Sequence, residues 1–166
     1  NRGKRGDLFE EIDLARAEAI GRNTLVQVCR SADPRAATPT CSIATASGIA
    51  GDDWASGWIV YARPQGVVAP AAFSAGTDEL LRRYEAEGVT AGAVRAVVRT
   101  NTGESTLAFA GNGLRMAGEG NERLFFLDYR NPSSSEPTAS ARCLRISMVG
   151  KVRSGVPTGD GVCNAS

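Results

Sequence analysis

The clearest hydrophobic pattern lies near the start of the chain, where residues 7–21 read DLFEEIDLARAEAIG. Four apolar residues recur there at helical spacing, on one face: Leu8, Ile12, Ala15 and Ala19. Asp7 is suited to cap the first turn and Gly21 to follow the last one. The pattern therefore predicts an amphipathic helix over residues 7–21, with Phe9 and Ile20 widening its apolar face.

After Asn23 the pattern changes to short alternating or β-branched runs, separated by Gly, Pro and Asn, which is typical of strands and turns. The predicted strands are residues 24–29, 57–63, 79–85, 93–100, 105–111, 114–118, 123–129 and a strand pair over 141–155 that turns near Gly150. Residues 79–85 fit either a helix or a strand, and their context favours a short strand. Residues 31–56 and 64–79 are predicted loops. This order of elements indicates an α+β fold, in which an N-terminal helix packs on antiparallel β-sheets.

The length of 166 residues fits one domain. Within it we expect a helix over 1–22, a β region over 23–155 and a tail over 156–166. Among the predicted strands and loops, Trp54 and Trp58 are expected in the core.

The four cysteines are Cys29, Cys41, Cys143 and Cys163, and no two of them form a CxxC pair. That spacing fits a zinc site poorly and two disulfides acceptably. Local pairing, 29–41 and 143–163, is the simplest of three connectivities, and the second pair would hold the tail. Two disulfides favour an oxidising compartment, although four free thiols in a cytosolic protein remain an alternative.

The composition changes the picture mainly by what is missing, because the chain has no His. Triads, Cys-His pairs and His metal ligands are therefore excluded. Carboxylates, Lys or Tyr could still serve an enzyme, but no catalytic constellation supports one, so neither enzyme activity nor a cofactor is expected. The net charge of +1 argues against a general polyanion binder but not against a local basic patch. Two acidic pairs, Asp52–Asp53 and Asp78–Glu79, are expected to be solvated loop charges rather than a calcium site.

Four segments, taken in order, carry a family resemblance: LFEEIDLARAEAIGRNTLVQVC (8–29), GWIVYAR (57–63), LAFAGNG (107–113) and CLRISMVGKVRSG (143–155). They resemble the GspH/FimT family of type IV pilins and type II secretion pseudopilins. Three shorter matches support this: Trp54, Gly57 and Trp58 in a tryptophan segment, Phe109 and Gly113 in a hairpin, and 150–153 in a basic motif. Lys151 replaces the first Arg of that motif.

The resemblance implies a minor pilin with the type IV pilin-like α+β fold. Such proteins are anchored in the inner membrane by a hydrophobic N-terminal helix, with the globular domain in the periplasm, and then join a pilus or pseudopilus. Their partners are other minor and major pilins. The hydrophobic segment is not in this sequence, so we expect a shortened, monomeric form of such a protein. The alternative within the family is a type II secretion minor pseudopilin with a purely structural role.

The last basic cluster contains four cations in twelve residues: Arg142, Arg145, Lys151 and Arg153. In the FimT branch the corresponding motif is tied to DNA capture during natural transformation, so the resemblance implies a double-stranded DNA site here. Lys151 and Arg153 point to one side of a strand, and Arg145 is expected to join them across the hairpin. Contacts of this type bind phosphates rather than bases. The alternative is an ordinary solvated strand face, or pairing of these charges with Asp160 and other nearby carboxylates.

Overall fold

A computed structural model of the protein describes residues 2–46, 48–85, 95–100, 105–116, 122–131, 138–139 and 141–157. Helix α1 spans Arg2–Arg22, and Leu8, Ile12, Ala15 and Ala19 are all fully buried along it. The predicted apolar face is therefore correct. No helix among the described residues is long and apolar enough to cross a membrane.

The strands form two antiparallel four-stranded sheets. They are β1 (Val26–Arg30), β2 (Gly57–Ala62), β3 (Glu79–Glu85), β4 (Arg95–Thr100), β5 (Thr106–Phe109), β6 (Glu122–Arg130), β7 (Arg142–Ser147) and β8 (Val152–Gly155). The first sheet has the order β3-β2-β1-β5, and the second has the order β4-β6-β7-β8. A short 3-10 helix, Trp54–Ser56, precedes β2. One helix packed on antiparallel sheets is the predicted α+β fold, which is confirmed.

The main core lies between α1 and residues of both sheets. Trp54 joins the sheets by packing edge-to-face on Phe125, with ring centroids 5.0 Å apart. Trp58 stacks on Tyr84 with centroids 4.1 Å apart, so both tryptophans are packing residues, as predicted. The other face of the first sheet is covered by a smaller cluster, in which loop residue Phe73 packs on Tyr61. This double cover explains why every residue of β1 and β2 is buried.

Several boundaries differ from the sequence-based prediction. Helix α1 begins at Arg2, five residues before Asp7, so Asp7 does not cap it. Ile20 is 46% exposed and lies outside the buried face. Residues 114–118 do not form a strand in their described part, where Arg115 makes an isolated bridge to Phe109. The described residues turn back on β5 through hydrogen bonds from Ala110 N to Leu114 O and from Met116 N to Ala108 O, without forming a regular strand.

Candidate functional site

The β7–β8 hairpin carries the predicted basic cluster. Arg145 on β7 lies directly opposite Arg153 on β8, and residues opposite one another in an antiparallel pair share a face. The turn is closed by hydrogen bonds from Gly150 N to Ser147 O (3.0 Å) and from Ser147 N to Lys151 O (3.0 Å). Strand alternation puts Lys151 on the same side as Arg153, and both side chains are exposed. Three of the four predicted cations therefore share one face.

Arg142 is not part of this group. It lies three residues before Arg145, and an odd spacing along a strand places two side chains on opposite faces. Its guanidinium instead donates hydrogen bonds to Ala139 O (3.1 Å) and Ala141 O (2.7 Å). Arg142 therefore lies outside the face shared by Arg145, Lys151 and Arg153, as its spacing from Arg145 indicates, and its role in DNA binding stays a prediction.

Arg99 is a further cation on the face of Arg145, and sequence reasoning missed it. Arg99 on β4 pairs with Phe126 on β6, which pairs with Cys143 on β7. Cys143 is two residues from Arg145, so these positions share a face. No local sequence signal connects residues 99 and 145, because their proximity depends on the strand order and register of the second sheet.

The charges of this face are not all compensated. Among the described residues, no ion pair involves Lys151 or Arg153, whereas five ion pairs occur elsewhere. Lys151 and Arg153 are both exposed. Cations that share one face can contact the phosphates or carboxylates of a bound partner.

Cys29 and Cys41 form a disulfide with a Cα–Cα distance of 5.5 Å, which is the first of the two pairings expected from the sequence. Cys143 is also disulfide-bonded. Its expected partner, Cys163, lies outside the described residues, so the pairing 143–163 stays a prediction.

The long loop 31–56 is organised by Arg30, another residue that sequence reasoning missed. The Arg30 side chain is fully buried at the end of β1. It donates hydrogen bonds of 2.8–3.0 Å to four backbone carbonyls, those of residues 42, 44, 50 and 53. Burial lowers the pKa of this guanidinium, and the nearby carboxylates of Asp53 and Asp52 oppose that shift. A buried cation surrounded by carbonyls fixes the loop against the sheet.

The two acidic pairs are each divided between a buried and an exposed residue. Asp53 is 1% exposed and accepts hydrogen bonds from Ala55 N and Val98 N, both at 2.9 Å. Asp78 is 8% exposed and forms an ion pair with Arg63. The prediction of solvated loop charge is therefore wrong for these two residues, because each carboxylate satisfies buried donors.

Comparison with known proteins agrees with this architecture. A model of the family described as "Type II transport protein GspH" matches residues 6–150. Two crystal structures of the type IV minor pilin FimU from Pseudomonas aeruginosa are similar to this chain. The P21 form has a TM-score of 0.60 at 20% identity and covers 92% of this chain and 85% of that chain. The P65 form has a TM-score of 0.59 at 17% identity, covering 93% and 92%. No curated protein matches the sequence.

Proposed function

Because this chain belongs to the GspH family of pilin- and pseudopilin-type proteins, we propose that it is a minor pilin subunit of a type IV pilus. The observation that carries the proposal is the match over residues 6–150, which includes α1 from Gly6 onward, the first sheet and most of the second sheet. The likeness of the fold to FimU, a type IV minor pilin, supports the choice of a pilus. In this proposal the chain acts by assembly with other pilins and not by catalysis.

The compartment follows from the same proposal. Before assembly, the folded part lies on the periplasmic side of the inner membrane and is then incorporated into an extracellular filament. The Cys29–Cys41 disulfide supports an oxidising compartment, since such bonds persist mainly outside the cytosol.

A type II secretion pseudopilin is the second candidate, and it is favoured by the name of the matching family, a type II transport protein. Deleting the gene separates the two candidates. If the chain is a type IV minor pilin, the deletion strain should have fewer surface pili and unchanged secretion of type II substrates. If it is a pseudopilin, piliation should be unchanged and secretion should be lost. Each phenotype must be restored by the gene in trans, and unchanged piliation together with lost secretion would overturn the pilus assignment.

We further propose that the shared face of Arg145, Lys151 and Arg153 binds double-stranded DNA, as part of DNA uptake. Two observations support it: Arg145 and Arg153 lie opposite each other, and Lys151 and Arg153 are exposed without an ion pair to a described residue. Lys and Arg at this spacing neutralise phosphates, so binding should be weak, largely independent of sequence and sensitive to salt.

The test is a titration of the chain with duplex DNA at several salt concentrations. Each lost phosphate contact reduces the slope of log K against log salt by about 0.9, so Lys151→Gln/Arg153→Gln should reduce it by about 1.8. The matched control, Arg35→Gln/Arg83→Gln, removes the same charge from the surface at β3 and should bind as the parent does. Equal binding by both double variants, or no binding by the parent, would refute the DNA site.

A further inference from the structure

A polar pocket opens at one end of the first sheet, where α1 and β2 end and β1 and β3 begin. Its volume is about 400 Å³, within the range of roughly 300–1,000 Å³ that is usual for small-ligand sites. Six polar residues line it: Arg22, Thr24, Arg63, Gln65, Thr77 and Glu79. None of them belongs to the basic face of the second sheet, so the pocket is separate from the proposed DNA site.

The walls of this pocket are fixed by hydrogen bonds. Arg63 N donates to Leu25 O at 2.8 Å, and Thr24 Oγ1 donates to Arg63 O at 2.9 Å. The Arg63 guanidinium forms an ion pair with Asp78 through Nη1, across the base of the loop between β2 and β3. Asp78 in turn accepts a hydrogen bond from Ser74 N at 2.8 Å. Because these groups are already ordered, a ligand would bind here at little cost in conformational entropy.

Arg22 fixes a second part of the lining. Its Nε donates a hydrogen bond to Glu18 Oε1 at 2.7 Å, and its Nη1 and Nη2 donate to the two carboxylate oxygens of Glu79 at 2.9 and 3.4 Å. The Glu79 side chain is 64% exposed, so its oxygens keep lone pairs that a ligand can reach. These exposed ion pairs add little stability, but they place a guanidinium and a carboxylate side by side at the pocket.

Arg63 carries a hydrogen-bond donor that no described residue satisfies. Its side chain is only 14% exposed, and its Nε is buried without an acceptor in the described part of the chain. Buried polar atoms in folded proteins are nearly always paired with protein groups or with ordered water. The pocket therefore combines an unsatisfied donor, at Arg63, with accessible acceptors, at Glu79.

The charges at the pocket decide which class of ligand it suits. Arg22 is paired with Glu18 and Glu79, and Arg63 is paired with Asp78. Two guanidinium groups are thus balanced by three carboxylates, so an anion would meet a slightly negative site. A cation would compete with both arginines for the same carboxylates. The ligand that fits is neutral, and its polar groups both donate and accept hydrogen bonds, as hydroxyl groups do.

We propose that this pocket binds a neutral saccharide. Hydroxyl groups of the saccharide accept a hydrogen bond from the guanidinium of Arg63 and donate to the carboxylate of Glu79, while the amide of Gln65 can do either. The described lining contains no aromatic ring, so binding rests on hydrogen bonds exchanged with water, and Kd should lie in the millimolar range. Binding needs only the folded domain, so it does not depend on the proposed filament role.

NMR titration of the isotope-labelled chain tests this site with two uncharged probes, maltotriose and chitotriose. We expect saturable shifts of the backbone amide signals of Thr24, Gln65, Thr77 and Glu79, with the same Kd at low and high salt because the ligand carries no charge. Chitotriose has N-acetyl groups, as cell-wall glycan does, and maltotriose has none. The tighter probe therefore distinguishes a cell-wall source from another polysaccharide. No saturable shift with either probe, or shifts confined to other surfaces, would overturn the proposal.

Small ions are the control ligands in the same titration. Sodium acetate, sodium phosphate and calcium chloride should leave the amide signals of the pocket in place, because its charges are already paired. If any of these ions shifts the signals as strongly as the saccharides do, the pocket is an ion site and the proposal is wrong.

Two glutamates at opposite ends of β3 give a matched pair of variants. Glu79 pairs with Arg22 in the pocket, whereas Glu85 pairs with Arg35 outside it. Glu79→Ala removes the pocket acceptor and should raise the Kd of the tighter probe about tenfold, and Glu85→Ala should bind as the parent does. Both side chains are well exposed, so both variants should fold, which thermal unfolding checks. Equal Kd values for the two variants would contradict the proposed site.

Discussion

At the scale of single residues, the most informative feature is Arg30, whose guanidinium donates its hydrogen bonds to backbone carbonyls rather than to a carboxylate. Arg30 is buried with four carbonyl acceptors, so the energy lost on removal from water is offset by charge-assisted hydrogen bonds. A sequence gives little warning of this, because arginine is rarely fully buried and its four acceptors belong to the backbone.

Replacing Arg30 by Met should therefore destabilise the protein strongly. Four buried or partly buried carbonyls would each lose a charged donor, and we expect the free energy of unfolding to fall by about 3 kcal/mol. Urea denaturation measures the change. Arg35→Met is the control, because the Arg35 side chain is 69% exposed and its ion pair with Glu85 should contribute less than about 1 kcal/mol. Equal losses in both variants would contradict the role of Arg30.

Asp33 gives the same loop a dependence on pH. Burial alone would raise the pKa of its carboxyl, but hydrogen bonds from Thr40 N, Thr40 Oγ1 and Ser31 Oγ outweigh burial and lower it below 3.8. A carboxyl whose pKa is lower in the folded chain than in the unfolded chain stabilises the fold at pH values above its unfolded pKa. That contribution is lost as the pH falls through its folded pKa.

We accordingly expect the free energy of unfolding to decrease as the pH falls below about 3.8, in part through Asp33. Asp33→Asn should be less stable than the parent at pH 7, with the difference shrinking at low pH. Denaturation series from pH 7 to pH 2 check this. A difference that does not change with pH would show that the Asp33 charge has no such role.

At the scale of elements, helix α1 shows how the fold follows from side-chain size. Ala15 and Ala19 are fully buried, while Ala17 between them is exposed. Small residues on one face allow the helix to approach the first sheet closely, where β1, β2 and β5 contact it.

Ala15→Leu should overpack this contact and lower the free energy of unfolding by about 1–3 kcal/mol. Ala17→Leu adds the same atoms on the exposed side and should change stability by no more than about 0.5 kcal/mol. Thermal and urea unfolding of the two variants measure the contrast. A larger loss in Ala17→Leu than in Ala15→Leu would contradict the observed orientation of α1.

The loop after β1 is held by three different interactions: the Arg30 hydrogen bonds, the Asp33 carboxylate and the Cys29–Cys41 disulfide. Closing a loop of this length should stabilise the fold by about 3 kcal/mol in the chain-entropy model. Cys29→Ala/Cys41→Ala should lose about that amount in urea denaturation. An unchanged midpoint would show that the other two interactions already restrict the loop.

Most elements could be predicted from the sequence, because helical and alternating patterns reflect burial directly. Strand β3 was predicted from ELLRRYE by context and is confirmed at Glu79–Glu85, although its charges occupy an edge of the sheet. The prediction failed where local pattern was weak. Residues 114–118 look β-like, but in their described part, 114–116, only Arg115 makes an isolated bridge, to Phe109.

At the scale of the whole molecule, the candidate site could be predicted only in part. Lys151 and Arg153 share a side because of their spacing, which the sequence shows. Arg99 joins their face only through the order β4-β6-β7-β8, which no local pattern encodes. Likewise, no local pattern predicts that the turn after β5 and the turn between β7 and β8 meet, as the hydrogen bond from Arg115 N to Met148 O shows.

The central claim is that this chain is a filament subunit, and its most direct test is its presence in the filament. Pili sheared from cells and purified should contain the chain by immunoblotting, and immunogold should label them. The label should disappear in the deletion strain and return with the complementing gene. Recovery of the chain only in membrane and periplasmic fractions, in cells that produce normal pili, would contradict the account.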